Sequence, residues 1–279
     1  MNEVKQLKSL LLQIKSNNWS VPVDVNLDQL TTAMMKHLGS TDSELRDELI
    51  YSLFHQLIRE KALSDNQLKD LLKLSLSDQH LFYNIGAKGD DTVFNRAFAI
   101  LIVSSIVMYH NQNGENLLTE EEIFHVHKNV LCYAKLENDV RGFVKNKGWA
   151  HSTAHLADAL NELAICKVMK KIQLTDILEA VKEKVCIKDY TYINEEDERL
   201  ITAVTSIMER NILSDEEITT WIQQFDNIEQ IKNSQQQHCL LVNRKNFLRS
   251  LYFRFKQNEV CRPFTATIET VLNKISFVY

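Results

Sequence analysis

Two prolines and six glycines among 279 residues constrain this chain more than any other feature. Tight β-turns draw on those residues for backbone angles that others adopt at a cost. This scarcity argues against a sandwich or barrel with a turn at roughly every tenth residue. It argues against a glycine-rich phosphate loop on the same ground. The apolar residues instead repeat at helical spacing. After Thr41, Leu45, Leu49, Leu53 and Leu57 form one stripe, joined by Ile50 and Phe54. Thr41 with Glu44, Ser64 with Gln67, Thr119 with Glu122 and Ser214 with Glu217 have the spacing of capping boxes at helix starts.

The patterning predicts helices over 2–16, 26–38, 42–61, 65–75, 77–85, 92–111, 120–136, 139–146, 149–170, 174–186, 195–210, 215–224, 227–256 and 264–276. Breaks fall near Gly39, Gly86 to Asp91, Gly114, Gly148 and Pro263. Short connections make successive helices antiparallel neighbours. The expected fold is all-α, an irregular α-α superhelix of paired antiparallel helices in the manner of HEAT and armadillo arrays, with a globular helical bundle as the alternative. No linker rich in Gly, Pro or Ser interrupts the chain, so a single domain over 1–279 is expected. The polar run Asn233 to His238 reads as a kink within a helix.

With 44% apolar and 25% charged residues, the chain has the means to build a core. Thirty-two basic against 37 acidic side chains leave a net charge of -5, which argues against nucleic acid as a partner. The five cysteines, Cys132, Cys166, Cys186, Cys239 and Cys261, are odd in number and form no CxxC pair, as expected of free thiols in a reducing cytoplasm. The N-terminal segment alternates charged and apolar residues, unlike a signal peptide. The apolar run Ala97 to Tyr109 is shorter than the roughly 20 residues of a membrane span and reads as a core helix. A cytoplasmic protein with no membrane partner is expected.

Chemistry concentrates in GWAHSTAHLAD, residues 148–158. On a continuous helix His151, His155, Asp158 and Glu162 share about a 60° arc, with Trp149 on another side. Two imidazoles and a carboxylate in a row can relay a proton, hold a ligand or ligate a metal. They can equally form a solvated or structural polar seam. The HExxH metalloprotease pattern is absent, because Ser152, Thr153 and Ala154 separate the histidines. Just upstream, Asp139 and Arg141 either turn toward this stripe or pair with each other at the surface. Arg96 sits where an apolar run begins, and either snorkels to the rim or lines a cavity. Asp90 or Asp91 is the expected acidic N-cap of that helix. Arg249 and Arg254 interleave with aromatic residues on a late helix and are expected to meet acids elsewhere. His125 and His127 point about 200° apart and form no joint site.

The segments LRDELIYSLF at 45–54, DDTVFNRAFAIL at 90–101, ENDVRGFVKNKGWAHSTAHLADAL at 137–160, DERLITAV at 197–204 and RKNFLRSLYFRF at 244–255 together resemble a bacterial family known as domain of unknown function 2785. The resemblance implies an all-helical protein with no assigned activity and no cofactor. It marks Asp47, Arg96, Asp139, Arg141, Trp149, His151, His155, Asp158 and Arg249 as positions to test. Ala97 stands where the family pattern has a serine after Arg96, which removes one hydroxyl from any scheme needing a nucleophile there.

Two functions follow from these residues. The first is a binding or scaffold module with a concave groove for a protein or small-molecule partner. The second is a small-molecule pocket or enzyme, with His151 and His155 as acid and base beside Asp139 or Asp158. In that scheme Arg96, Arg141 or Arg249 holds an anionic group and Trp149 forms a wall. Metal ligation by His151, His155 and Asp158 ranks below both, and no other cofactor is expected.

Overall fold

The computed structural model describes residues 3–226 and 231–276, and it is all-α apart from one small hairpin. By contact density the chain divides into two compact units, Met1–Ala159 and Leu160–Tyr279. The division falls inside a helix, which is why no linker composition marks it.

The first unit contains α1 (Glu3–Ser16), α2 (Leu27–Lys36), a π-helix (Glu44–Tyr51) continued by α3 (Ser52–Arg59), α4 (Asp65–Ser75), α5 (Thr92–Gln112) and α6 (Glu120–Leu136). Strands β1 (Phe143–Val144) and β2 (Gly148–Trp149) pair antiparallel, with Phe143 opposite Trp149, and α7 (Ser152–Ile165) follows. Helix α5 is the core of this unit. It is apolar around its whole circumference, as a helix surrounded by others must be. At 21 residues it is long and apolar enough to cross a membrane, yet most of it is buried inside the protein. It therefore runs longer than the apolar stretch that announced it.

The second unit holds α8 (Lys171–Val185), α9 (Glu196–Glu209), α10 (Asp215–Gln223), α11 (Ser234–Gln257) and α12 (Thr265–Ser276), with α11 packed on α9 and α12. Its Arg210 guanidinium donates to the carbonyls of Ala164, Cys166, Lys167 and Met169, which gathers the turn after α7.

Three capping boxes form as expected, at Ser64/Gln67, Thr119/Glu122 and Ser214/Glu217. The fourth does not. Thr41 is outside the helix, Ser43 takes the N-cap position, and Asp42 Oδ1 accepts from the Leu45 amide instead. The helix expected over 77–85 is a run of turns, and that over 139–146 is replaced by the approach to β1 and by the hairpin itself. Positive φ at Asn146 and Gly148 supplies the hairpin turn that helical periodicity concealed. The polar run at Asn233 starts a helix rather than kinking one: Asn233 caps α11 by accepting from the Gln235 and Gln236 amides. Residues 227–230, expected to begin that helix, lie outside the described residues.

Candidate functional site

The hairpin is held from below by Arg46, a residue of the π-helix. Its side chain is fully buried, and among the described residues its hydrogen-bond partners are backbone carbonyls rather than a carboxylate. Nη2 donates to the Lys147 and Trp149 carbonyls at 2.8 and 3.1 Å, and Nη1 donates to the Ser40 carbonyl at 2.5 Å. The guanidinium lies over the Phe94 ring at 4.2 Å and the Phe98 ring at 4.9 Å. Burial pushes its pKa down to about 10, against the pull of Asp47 and Asp42. Carbonyl dipoles and aromatic faces thus replace the anion that a buried cation ordinarily requires. Gly148 has no alternative here: its φ is +78°, and a β-carbon would stand 2.7 Å from Ser43 Cβ. Val144 packs on Val93, Phe94 and Ala150, closing the hairpin onto α5.

Above this clamp the hairpin presents rings. Phe143 and Trp149 meet edge to face at 5.1 Å and remain 58% and 40% exposed. Trp149 meets the His151 ring at 4.2 Å, and His151 lies 5.9 Å from His155. His155 meets Phe98 at 5.3 Å, and Phe98 meets Tyr51 at 6.1 Å. The row continues to His55 at 6.2 Å from Tyr51. His151 is not on the helix, contrary to the helical reading of 149–170. It precedes α7 with φ +52°, a left-handed conformation that a residue with a β-carbon holds only when its surroundings impose it. Its carbonyl accepts from the His155 amide at 2.9 Å and its amide donates to the Arg141 carbonyl at 3.1 Å. The two histidines are thus brought together by a turn, and Trp149 by a strand.

His155 is nearly buried, and its Nδ1 donates to the Ala97 carbonyl of α5 at 3.0 Å. Because a carbonyl can only accept, that bond places a proton on Nδ1. Asp158 is half-buried on the next turn of α7. Among the described residues no group of three or more His, Cys, Asp or Glu side chains stands in an arrangement that could hold a metal ion.

Arg96, Asp139, Arg141 and Asp91 have structural partners. Arg96 does not snorkel: it is fully buried and forms a bidentate pair with Glu137, Nε to Oε2 at 2.5 Å and Nη2 to Oε1 at 3.0 Å. Desolvation opposes the charged guanidinium, but the Glu137 carboxylate outweighs it and raises the pKa. Asp139 is buried and accepts from Arg141 and from the Gly89 amide, while Arg141 also donates to the Asp90 carbonyl. Within this pair Asp139 is buried and Arg141 stays partly exposed, and the Ser152 hydroxyl, next to His151, donates to the Asp139 carbonyl. Asp91 occupies the N-cap position of α5 without a side-chain capping bond, because Lys147 holds its carboxylate at 2.6 Å. Arg249 is exposed on α11 in the second unit, whereas Arg254 pairs with Glu198. Asp47 is half-buried, and burial raises its carboxyl above the usual range.

The residues that sequence reasoning missed are Arg46, Tyr51 and Phe98. Arg46 lies four residues before Ile50, on the same inward face, and that phase was the available signal. His125 and His127 are exposed and buried respectively, as their opposite phases require.

The model of a family described as protein of unknown function (DUF2785) matches residues 81–253, well over half of the sequence. The chain belongs to this family. The matched span includes the hairpin, the histidines and the Arg96 and Asp139 networks. Arg46 and the π-helix of this DUF2785 member lie before it. Among curated proteins and solved structures nothing matches the chain.

Proposed function

We propose that this DUF2785 member is a binding protein whose recognition element is the aromatic edge formed by Phe143, Trp149 and His151. The observation that carries the reading is the pairing of exposed rings with a hairpin that cannot yield. Phe143 and Trp149 are exposed, yet each is oriented by an edge contact, and the backbone beneath them is clamped by buried Arg46. Rigid aromatic anchors lose little conformational entropy on binding, which is why they dominate recognition surfaces. The partner is a protein or small molecule with an apolar or ring face, met in the cytoplasm. The unbridged cysteines accord with that compartment, and the net acidic charge disfavours nucleic acid.

Affinity capture from the native host tests this reading, comparing the wild type with Phe143→Ser/Trp149→Ser. A partner retained by the wild type and lost from an equally stable variant is the expected result. The same proteins on both, or none on either, would overturn it.

A second reading is acid–base use of His151 beside His155. Its support is the left-handed backbone of His151, since strain of that kind concentrates at working sites.

A further inference from the structure

The break near Gly114 contains chemistry that the binding reading does not use. Asn113 and Gly114 form the one Asn-Gly step in the sequence. The side-chain amide carbon of an asparagine can be attacked by the backbone nitrogen of the next residue, which closes a small ring. A β-carbon on that next residue ordinarily crowds the closure, and glycine has none.

The structure places this step just beyond the core helix. Asn113 is the C-cap of α5, and its backbone amide donates to the Tyr109 carbonyl. The Glu115 amide donates to the His110 carbonyl at 2.9 Å. Between them the Gly114 amide donates to no group among the described residues, and Gly114 is exposed. Its nitrogen is therefore open to a base from solvent, whereas the amides on either side are held in hydrogen bonds. The backbone is strained at the same place. Gly114 has φ +73°, and Glu115, which carries a β-carbon, has φ +59°. An asparagine inside a helix is protected by comparison, because the amide that follows it is engaged in the helical ladder.

One bond opposes the attack. Asn113 Nδ2 donates to the Tyr109 carbonyl at 2.8 Å. The side chain must leave that carbonyl before Cγ can meet the Gly114 nitrogen. The carbonyl keeps the Asn113 backbone amide as a donor, so the release leaves no backbone group unsatisfied and costs little.

We propose that Asn113 is a site of spontaneous covalent modification in the folded protein, at which the Gly114 nitrogen displaces ammonia from the Asn113 side chain. The Gly114 amide gives its proton to a solvent base, and its nitrogen bonds to Asn113 Cγ. The Cγ–Nδ2 bond breaks, and the amide nitrogen leaves as ammonia after taking a proton from water. Water then opens the resulting succinimide. Addition at Cγ gives aspartate. Addition at the main-chain carbonyl gives isoaspartate, in which the chain runs through the side-chain carbon. No atom changes oxidation state, and water is the sole co-reactant.

The change reaches the core. It sets an anion at the C-terminal end of α5, where the helix dipole disfavours one, and it removes the side-chain donor to Tyr109. The same turn positions buried Leu117 and Leu118, and the Leu118 amide donates to His110 Nδ1 at 3.1 Å. Asn116 Nδ2 donates to the Asn113 carbonyl, a contact whose geometry the longer isoaspartate backbone alters.

The test is incubation of the full chain in mildly alkaline buffer, native and urea-unfolded, sampled over days. Peptides are mapped by mass spectrometry with fragmentation that separates isoaspartate from aspartate. In the native protein Asn113 should lose its side-chain amide ahead of every other asparagine, with isoaspartate exceeding aspartate. Asn113→Gln, whose longer side chain closes the ring poorly, should keep its amide. The modified protein should melt about 2–4 °C below fresh protein. If native Asn113 stays intact while the unfolded chain reacts, the fold protects the site and the proposal is overturned. Aspartate without isoaspartate would overturn the attack by Gly114, because direct hydrolysis gives aspartate alone. An unchanged melting temperature after full modification would overturn the link from this turn to the core.

Discussion

A β-carbon built on Gly39 would stand 2.7 Å from the β-carbon of Asn95, with the Asn95 backbone only 3.1 and 3.2 Å away. The turn after α2 and the first turn of α5 therefore meet at backbone distance. Asn95 is also the residue that orients His80. Gly39→Ala must push the two segments apart, because backbone atoms offer no rotamer to escape into. The expected cost is about 1–3 kcal/mol, measured by urea unfolding, together with a shift of the His80 ring signals. Unchanged stability would show that the contact is looser than it stands here.

Arg96 and Glu137 predict a non-additive mutant pair. Removing one partner leaves a buried charge alone, so Glu137→Ala should cost about 3–5 kcal/mol. Arg96→Met/Glu137→Ala should cost clearly less than the two single variants summed. Additive losses in a double-mutant cycle would mean that the pair is not coupled.

Gly148 and Arg46 predict a change in the hairpin rather than in the core alone. Gly148→Ala meets both a φ of +78° and a wall formed by Ser43 and Arg46. It should destabilise the protein by about 1–3 kcal/mol and alter Trp149 fluorescence, since Trp149 is the next residue. An unaltered emission spectrum would separate the hairpin from the clamp.

His55, His80 and His110 all have pKa values lowered by burial. The unfolded chain then binds more protons than the folded one as pH falls below the ordinary histidine value of about 6.5. Their contribution to stability is full above that value and is lost as pH falls through the folded pKa values. Asp47 and Asp197 shift the other way, since burial raises them, and they favour the folded state only at lower pH, near the carboxylate range. The unfolding midpoint in urea should therefore drop between about pH 7 and 5. His80→Asn should flatten part of that slope, and a midpoint independent of pH would contradict it.

Elemental mass spectrometry on untagged protein addresses the remaining use of the His151 and His155 row. No near-stoichiometric metal is expected in the wild type, since no metal-holding group of three His, Cys, Asp or Glu forms among the described residues. Metal present in the wild type and lost in His151→Ala/His155→Ala would replace the binding reading with a metalloenzyme.

The all-α class, most helix positions and the core stripe from Leu45 to Leu57 were legible in the sequence. They depend on local terms, namely apolar period, capping residues and the lack of Gly and Pro, and those terms act within a few residues of chain. The closeness of His151 to His155 was legible too, although a turn and not a helix produces it. Tertiary structure alone decided the rest. Whether Arg96 met solvent or Glu137 depended on a partner 41 residues away. Arg46 became a clamp only when Lys147 and Trp149 arrived, 101 and 103 residues later. The hairpin over 143–149 replaced a helix because its register and left-handed turn are fixed by what lies beneath it. A buried charge takes its role from the groups that replace water around it, and in this protein those groups are distant in the chain.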